Sequence, residues 1–422
     1  MVAERDKLER RRGREPNEND PMLYKTAPND SGRLVYLVIL LNGLGVLLPW
    51  NMFITIAPQT EYAANFMSAL GIASQLPNLA INIINIFLVI GGSLMLRILG
   101  PLILNCINVL IVLVLIFFVR PNFDDMSWFY SVTLILIAIL NASNGLYQNS
   151  IFGLTADFPA NYTNAIVLGN NLCGIFTTVL HMTCTLLIEE IRTIALLYIT
   201  ISLVVLILCG LSLVYGTRTE FYQYYVDLGA KMREQENTTK PSLSQYFSCF
   251  QECWVQLFNV FFTYFVTLTI FPAMMVATPL RCEESIELFS ENIYTTVTTF
   301  LCFNLFAVVG SATAGFVQWP KEGFLWIPVL LRGFFVAATK YFSHRTLPVL
   351  ITSEYAFITG GVLMAFTHGY FSSLAMMYAP RVVHPSLSKI AGMTAAMCLI
   401  LGLFSGVSFT LVIATIATIF KI

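Results

Sequence analysis

The chain has 422 residues, 57% of them hydrophobic and only 11% charged, with a formal net charge of −1 and a mean hydropathy of +0.73. A soluble globular chain carries about 25% charged residues, so an ordinary soluble enzyme, a collagen and a disordered protein are excluded. The 23 basic residues are matched by 24 acidic ones, which leaves no net attraction for phosphate and excludes a nucleic-acid binder. What remains is an all-α polytopic membrane protein.

A bilayer core takes about 20 apolar residues as helix. Residues 1–33 are polar and charged and read as a cytosolic segment, with the first apolar run as an uncleaved anchor. Eleven runs then predict transmembrane helices over 34–56, 70–92, 98–119, 127–154, 164–187, 193–215, 254–278, 292–317, 324–343, 350–378 and 391–418. With the N-terminus inside, 16 Lys and Arg fall in cytosolic segments and 6 in outside ones, half of the inside charge coming from residues 1–33. This bias predicts a cytosolic N-terminus and an extracellular C-terminus. The sequons at Asn29, Asn161 and Asn237 then lie in the cytosol and Asn141 within a span, so none should be glycosylated.

The largest polar insert, 216–253, reads as a cytosolic central loop. It separates an N-terminal six-helix bundle, 34–215, from a C-terminal five-helix bundle, 254–422. Two bundles rocking about a midplane site are the physical model for such a layout.

Six of the nine cysteines lie inside apolar runs, and Cys282 sits in a polar loop. Cys249 and Cys253 are four apart, without the further ligands that a metal site needs. No HExxH, no GxSxG and no intramembrane carboxylate pair points to an enzyme, a cofactor or a catalytic residue.

The spans hold almost no full charges but many amides and hydroxyls: Asn42 and Asn51 in span one; Gln75, Asn78, Asn82 and Asn85 in span two; Asn141, Asn144, Gln148, Asn149 and Ser150 in span four; Asn170 and Asn171 in span five; Asn304 and Ser311 in span eight; Thr367 and His368 in span ten. Such groups are costly in hydrocarbon and face partners or a watery cavity. Taken singly, each reads as interhelical glue. The clusters in spans two and four together read as the lining of a cavity for a polar, neutral solute. Pro49, Pro77 and Pro272 predict kinks. Gly43, Gly45, Gly169, Gly174, Gly402 and Gly406 permit close helix contacts. Arg332, within span nine, reads as snorkelling or pairing locally, and His181 as a helix contact.

Several stretches carry a family resemblance: LGVLLPWNMFITI (Leu44–Ile56), SQLPN (Ser74–Asn78), YQNSIFGLTADFPANYT (Tyr147–Thr163), RTEFYQYY (Arg218–Tyr225), FPAMMV (Phe271–Val276), FNLFAVVGSATA (Phe303–Ala314), FTHGYFSSLAMMYAPRVV (Phe366–Val383) and IAGMTAAMCLILGL (Ile390–Leu403). Over all the spans the chain resembles the equilibrative nucleoside transporters. The resemblance implies a major-facilitator-like bundle of six plus five helices working by alternating access. It implies passive transport of nucleosides, or in some members nucleobases, across the plasma membrane. Leu47, Trp50, Gln148, Ser150, Asn304 and Leu403 match the family's site positions. Ile54, Gln75 and Asn78 occupy positions where its side chains vary, and Ser311 and His368 complete the candidate solute-binding set.

One departure stands out. The family usually carries FDxxGR in span eight, and here the stretch is FAVVGS, with Ala307 in place of the Asp and Ser311 in place of the Arg. Losing both leaves a neutral site, whereas losing one would leave a charge unpaired. In the family the Arg is implicated in holding ribose hydroxyls; without it a charge-assisted contact is missing, worth roughly 10- to 150-fold in affinity. Three outcomes follow: weak nucleoside transport, a different neutral solute such as a nucleobase, or a transport-impaired relative. A proton-coupled carrier using His368 or Asp157 is a further reading. His368 stands where the family often has Asn.

Overall fold

The computed structural model describes residues 27–56, 63–87, 94–118, 127–235, 242–276, 296–336 and 354–419. Among the described residues all regular structure is helical. Before the insert come α1 (Leu34–Ile56), α2 (Ala63–Phe87), α3 (Leu94–Phe118), α4 (Ser127–Thr155), α5 (Ala160–Leu187) and α6 (Ile191–Gly216). The insert holds α7 (Glu220–Gln235). After it come α8 (Leu243–Ile270), the short α9 (Ala273–Val276), α10 (Cys302–Phe316) led in by a π turn at Thr296–Leu301, α11 (Trp326–Leu331), α12 (Glu354–Val382) and α13 (Ser388–Ile419).

Among the described residues, eight helical segments are long and apolar enough to cross a membrane. α2 and α12 are of similar length and carry Gln75, Asn78, Asn82 and Asn85, and Thr367, His368, Ser372 and Ser373. The apolar stretch around α11, Trp326–Val336, is shorter. The rest of predicted span nine, the start of span ten, Asn237 and Cys282 lie outside the described residues.

The helices differ from the predicted runs mostly at their polar ends. The central insert is not all loop: α7 fills much of it, and α8 begins inside it at Leu243. Ser242 starts α8 with a capping box, its hydroxyl accepting from Gln245 N–H while the Gln245 side chain accepts from Ser242 N–H. Capping is a local hydrogen-bond device that hydropathy does not register. At its other end α8 stops at Ile270, and Phe271 is extended at φ −96° and ψ 136°, as the residue before a proline prefers. Pro272 therefore follows the helix rather than kinking it.

Polar and apolar surfaces are inverted relative to a soluble protein. α3 buries Arg97, Asn105 and Asn108 and turns Leu96, Ile103, Ile107 and Leu110 outward. An apolar exterior of this kind suits a lipid solvent.

The packing repeats. α1 lies on α5, and α2 on α4; in the second part α8 lies on α13, and α10 on α12. The contacts between the two parts obey the same exchange: α5 touches α10 and α12, while α13 touches α2 and α4. Counting spans without α7 and α9 and with α11 as the ninth, these two contacts of the first part have their counterparts six spans later. Bare backbone makes these approaches possible. A Cβ on Gly43 of α1 would lie 2.5 Å from Ile166 O of α5, and one on Gly402 of α13 would lie 2.5 Å from Phe261 O of α8.

The halves also meet at the end of the bundle that carries α7. Tyr246 Oη of α8 donates to Ile86 O of α2 at 2.7 Å. α7 itself touches Pro385–Leu387 ahead of α13.

Candidate solute site

Four of the eight amides clustered on α2 and α4, namely Asn78, Asn82, Asn85 and Asn149, bond to one another. Asn82 Nδ2 donates to Asn78 Oδ1 at 2.8 Å. Asn149 Nδ2 donates to Asn82 Oδ1 at 2.9 Å and, across to α13, to Met393 O at 2.9 Å. Asn85 Nδ2 donates to Asn149 Oδ1 at 2.7 Å, and Arg97 of α3 donates to Asn85 Oδ1. Gly145 makes room for this ladder, since a Cβ there would lie 2.7 Å from Asn78 Oδ1. Asn78, a candidate site residue, is thus built into a helix contact. Asn42 is similarly engaged, accepting from Tyr147 Oη at 2.7 Å.

Gln148 is different. It is 1% exposed, and neither its Oε1 nor its Nε2 has a partner among the described residues. Asn144, one turn before it on α4, leaves its buried Oδ1 unpartnered, and Gln75 of α2 does the same with its Oε1. An unmet buried amide costs about 1–3 kcal/mol per group, so three such oxygens and one amide nitrogen on adjacent helices form a polar wall with unused capacity. Gln148 can donate and accept at once.

Ser150 does not join this wall. At about 100° per residue it points about 200° away from Gln148 around α4. It shares a face with Ser143, seven residues before it, whose hydroxyl donates to Pro101 O of α3 at 2.9 Å. Leu47 is half-buried beside Leu48, Cys173 and Tyr198. Trp50 is half-buried and packs against an apolar cluster drawn from α3, α4 and α6 that includes Val109, Ile137 and Ile199. Leu403 is half-buried on α13. The side chain of Ile54 lies outside the described residues.

A second chain of contacts crosses from the first half to the other. Asn51 Nδ2, next to Trp50, donates to Cys173 Sγ of α5 at 3.4 Å. The next residue, Gly174, faces the Asn304 side chain of α10 so closely that a Cβ would overlap it. Asn304 Nδ2 donates to Phe300 O at 2.9 Å, so its amide is turned back along its own helix. Beside it, the Phe303 ring lies 5.7 Å from His368 of α12, and Tyr264 of α8 stands edge-on to the same imidazole at 5.0 Å.

The two residues that replace the family's charged pair are fully buried. Ser311 Oγ donates to Gly369 O at 3.2 Å and accepts from Asn171 Nδ2 at 2.7 Å. Its carbonyl accepts from Asn164 Nδ2 at 2.9 Å. Ser311 therefore pins α5, α10 and α12 together. Ala307 lies against Gly369, so the α10 and α12 backbones touch there.

Sequence reasoning underrated Arg332. It does not snorkel: it is 2% exposed. Its Nη1 donates to Thr263 O at 3.1 Å, and its Nη2 to Thr267 Oγ1 at 2.8 Å and Met364 O at 3.2 Å. It pairs locally, and among the described residues its acceptors are neutral. Thr267 and Tyr264 carried no signal that hydropathy could find, because a single Thr or Tyr in a span is ordinary. His181 meets Tyr198 Oη at 3.1 Å, the helix contact expected of it. Asp157 is committed to an ion pair with Arg233 of α7 at 2.8 Å. Among the described residues no group of three metal-ligating side chains occurs.

A family model described as Nucleoside transporter matches residues 134–415. The chain is 30% identical to equilibrative nucleoside transporter 1 of Rattus norvegicus, over 90% of this chain and 96% of that one. It is 28% identical to equilibrative nucleoside transporter 2 of Homo sapiens, over 90% and 97%. Among solved structures it is similar in fold to the E. coli fucose:proton symporter, with a TM-score of 0.58 and 11% identity over 92% of each chain. It is likewise similar to a proton:xylose symporter of the major facilitator superfamily, with a TM-score of 0.59 and 12% identity over 92% of this chain and 90% of that one.

Proposed function

The chain belongs to the nucleoside transporter family, and on that premise we propose that it carries nucleosides passively between two six-plus-five helix bundles, with the solute held by Gln148 on one side and Asn304 and His368 on the other. It is a multi-pass membrane transporter and not an enzyme. The observation that carries the site is Gln148. It is a buried amide with both ends unmet, within reach of the bonding pattern of a base edge.

Gln75 and Asn144 extend the same wall, and Trp50, Leu47, Ile54 and Leu403 supply apolar flanks. Asn78, Ser150 and Ser311 shape the bundle around the solute rather than touching it. The repeated packing of α1, α2, α4 and α5 by α8, α10, α12 and α13 supports a first bundle over 34–215 and a second over 254–422. The segments at 1–33 and 216–253 serve as the cytosolic arm and linker. The Lys and Arg bias puts the α7 end in the cytosol and the C-terminus outside. The halves touch at that end, so the described state is the one closed to the cytosol. Alternating access would break Asn149–Met393 and Tyr246–Ile86 in the opening step. The plasma membrane is the site of action.

The relatives matched over nine-tenths of the chain are named as transporters, which favours the carrier over a transport-impaired relative. Nucleobases are the second solute class, because no cation at position 311 waits for ribose hydroxyls. The test is uptake of labelled adenosine, uridine and hypoxanthine into proteoliposomes, with and without a pH gradient. Saturable uptake of the nucleosides that ignores the gradient is expected. Uptake of hypoxanthine alone would reassign the solute, and dependence on the gradient would replace passive by proton-coupled transport.

A further inference from the structure

Arg332, Thr267 and His368 come from three different helical segments and join in one chain of hydrogen bonds beside Phe303 and Tyr264. Thr267 Oγ1 lies 2.8 Å from Thr263 O, the ordinary back-bond of a threonine in a helix. It also lies 2.8 Å from Arg332 Nη2 and 3.0 Å from His368 Nδ1. A hydroxyl has one hydrogen, and a guanidinium only donates. With that hydrogen given to Thr263 O, Thr267 Oγ1 is an acceptor for both remaining groups. Nδ1 of His368 then carries the ring proton, and Nε2 presents a bare lone pair. No described residue donates to Nε2. The ring is wedged between Tyr264 and Phe303 and keeps 5% of its surface accessible.

We infer that His368 is a specificity-determining solute contact that accepts a hydrogen bond at Nε2 from a solute hydroxyl or N–H, and that Thr267 and Arg332 are positioning residues that fix its tautomer. The inference rests on the carrier reading above and adds a chemical demand to it. An amide at this place could rotate to offer either a donor or an acceptor. The fixed imidazole offers an acceptor only, so the solute must bring a donor to this wall. Arg332 serves this without touching the solute: its donated hydrogen bond keeps Thr267 Oγ1 an acceptor. Its three neutral acceptors offset part of the desolvation of its charge.

The test measures competition with labelled uridine uptake by 2′-deoxyuridine, 3′-deoxyuridine, 5′-deoxyuridine and N3-methyluridine, each of which lacks one donor. One of the four should compete about tenfold less well than uridine, the usual scale of one lost hydrogen bond to a buried acceptor. His368→Phe keeps the ring volume and should remove that difference. Thr267→Val should shrink it, and Thr267→Ser should restore it. Nitrogen-15 NMR of the protein labelled at its four histidines should show an Nδ1-protonated neutral ring in the signal that His368→Phe deletes, and Thr267→Val should change that signal.

Equal competition by all four analogues, discrimination that survives His368→Phe, or an Nε2-protonated ring would each overturn the inference. Failure of the wild type to take up any nucleoside would instead sink the carrier reading, and the NMR spectrum would still decide the tautomer.

Discussion

Arg233 Nη1 lies 2.8 and 2.9 Å from the two carboxylate oxygens of Asp157, tying α7 to the loop after α4. Phe158 adds rings 6.0, 5.6 and 5.7 Å from Phe221, Tyr222 and Tyr225 of the same helix. Gly229 lets the carboxylate approach, since a Cβ there would lie 2.5 Å from the Asp157 carboxyl carbon. The Tyr222 hydroxyl is pushed up to about 12, by burial first and then by the charge of Asp157. It stays a neutral phenol, and Arg233 is the charge that answers Asp157.

Arg233→Ala should therefore leave a carboxylate that is 2% exposed without its hydrogen-bonded counter-charge. The expected loss is about 3 kcal/mol, read as a lower Tm in detergent. Asp157→Asn combined with Arg233→Gln should lose less than the two single changes together. An unchanged Tm for Arg233→Ala would mean that the aromatic contacts alone hold α7.

Gln148 and Asn149 are neighbours with opposite expectations. Gln148→Leu removes an amide with no partner among the described residues, so it should not lower stability while nucleoside uptake falls about tenfold or more. Asn149→Leu breaks bonds to Asn82, Asn85 and Met393 and should cost about 1–3 kcal/mol. Parallel unfolding and uptake measurements on the two variants separate them. Equal stability losses would withdraw Gln148 from the solute wall.

Gly174→Ala should drive the Asn304 amide from its place, because the added methyl would overlap it. Overpacking of this kind costs about 1–3 kcal/mol. The double variant Gly174→Ala with Asn304→Ala should recover much of that loss, and the double-mutant cycle gives the coupling. Additive losses would show that α5 and α10 separate there without strain.

Ser311→Ala should cost about 1–3 kcal/mol by stranding Asn171 Nδ2. Ser311→Arg should lower the folded yield sharply, because position 311 is fully buried where α5, α10 and α12 meet. Size-exclusion profiles and Tm check both. A well-folded Ser311→Arg protein with tighter uridine binding would mean that the cavity reaches Ser311 after all.

The amide clusters show how far the sequence could be read. That Asn78, Asn82, Asn85, Gln148 and Asn149 would need either partners or a wet cavity follows from their cost in hydrocarbon. Which of the two applies to each depends on where its side chain points. Asn149 faces α2 and α13 and is bonded three times over; Gln148, about 100° around the helix, meets no partner among the described residues. Ser150 lies in a motif shared with the family, yet points about 200° away from Gln148, on the face of Ser143. The polar first turns of α8 were hidden because a capping box is not an apolar signal.

Composition alone determined that this chain lives in a bilayer, since 11% charged residues cannot solvate it, and the positions of its apolar runs determined most of its helices. Only the tertiary structure decided which polar groups are satisfied. Hydrogen bonds reach about 3 Å and depend on direction, so the pairing of Arg332 with Thr267, or of Ser311 with Asn171, exists only once helices far apart in the chain are brought into contact.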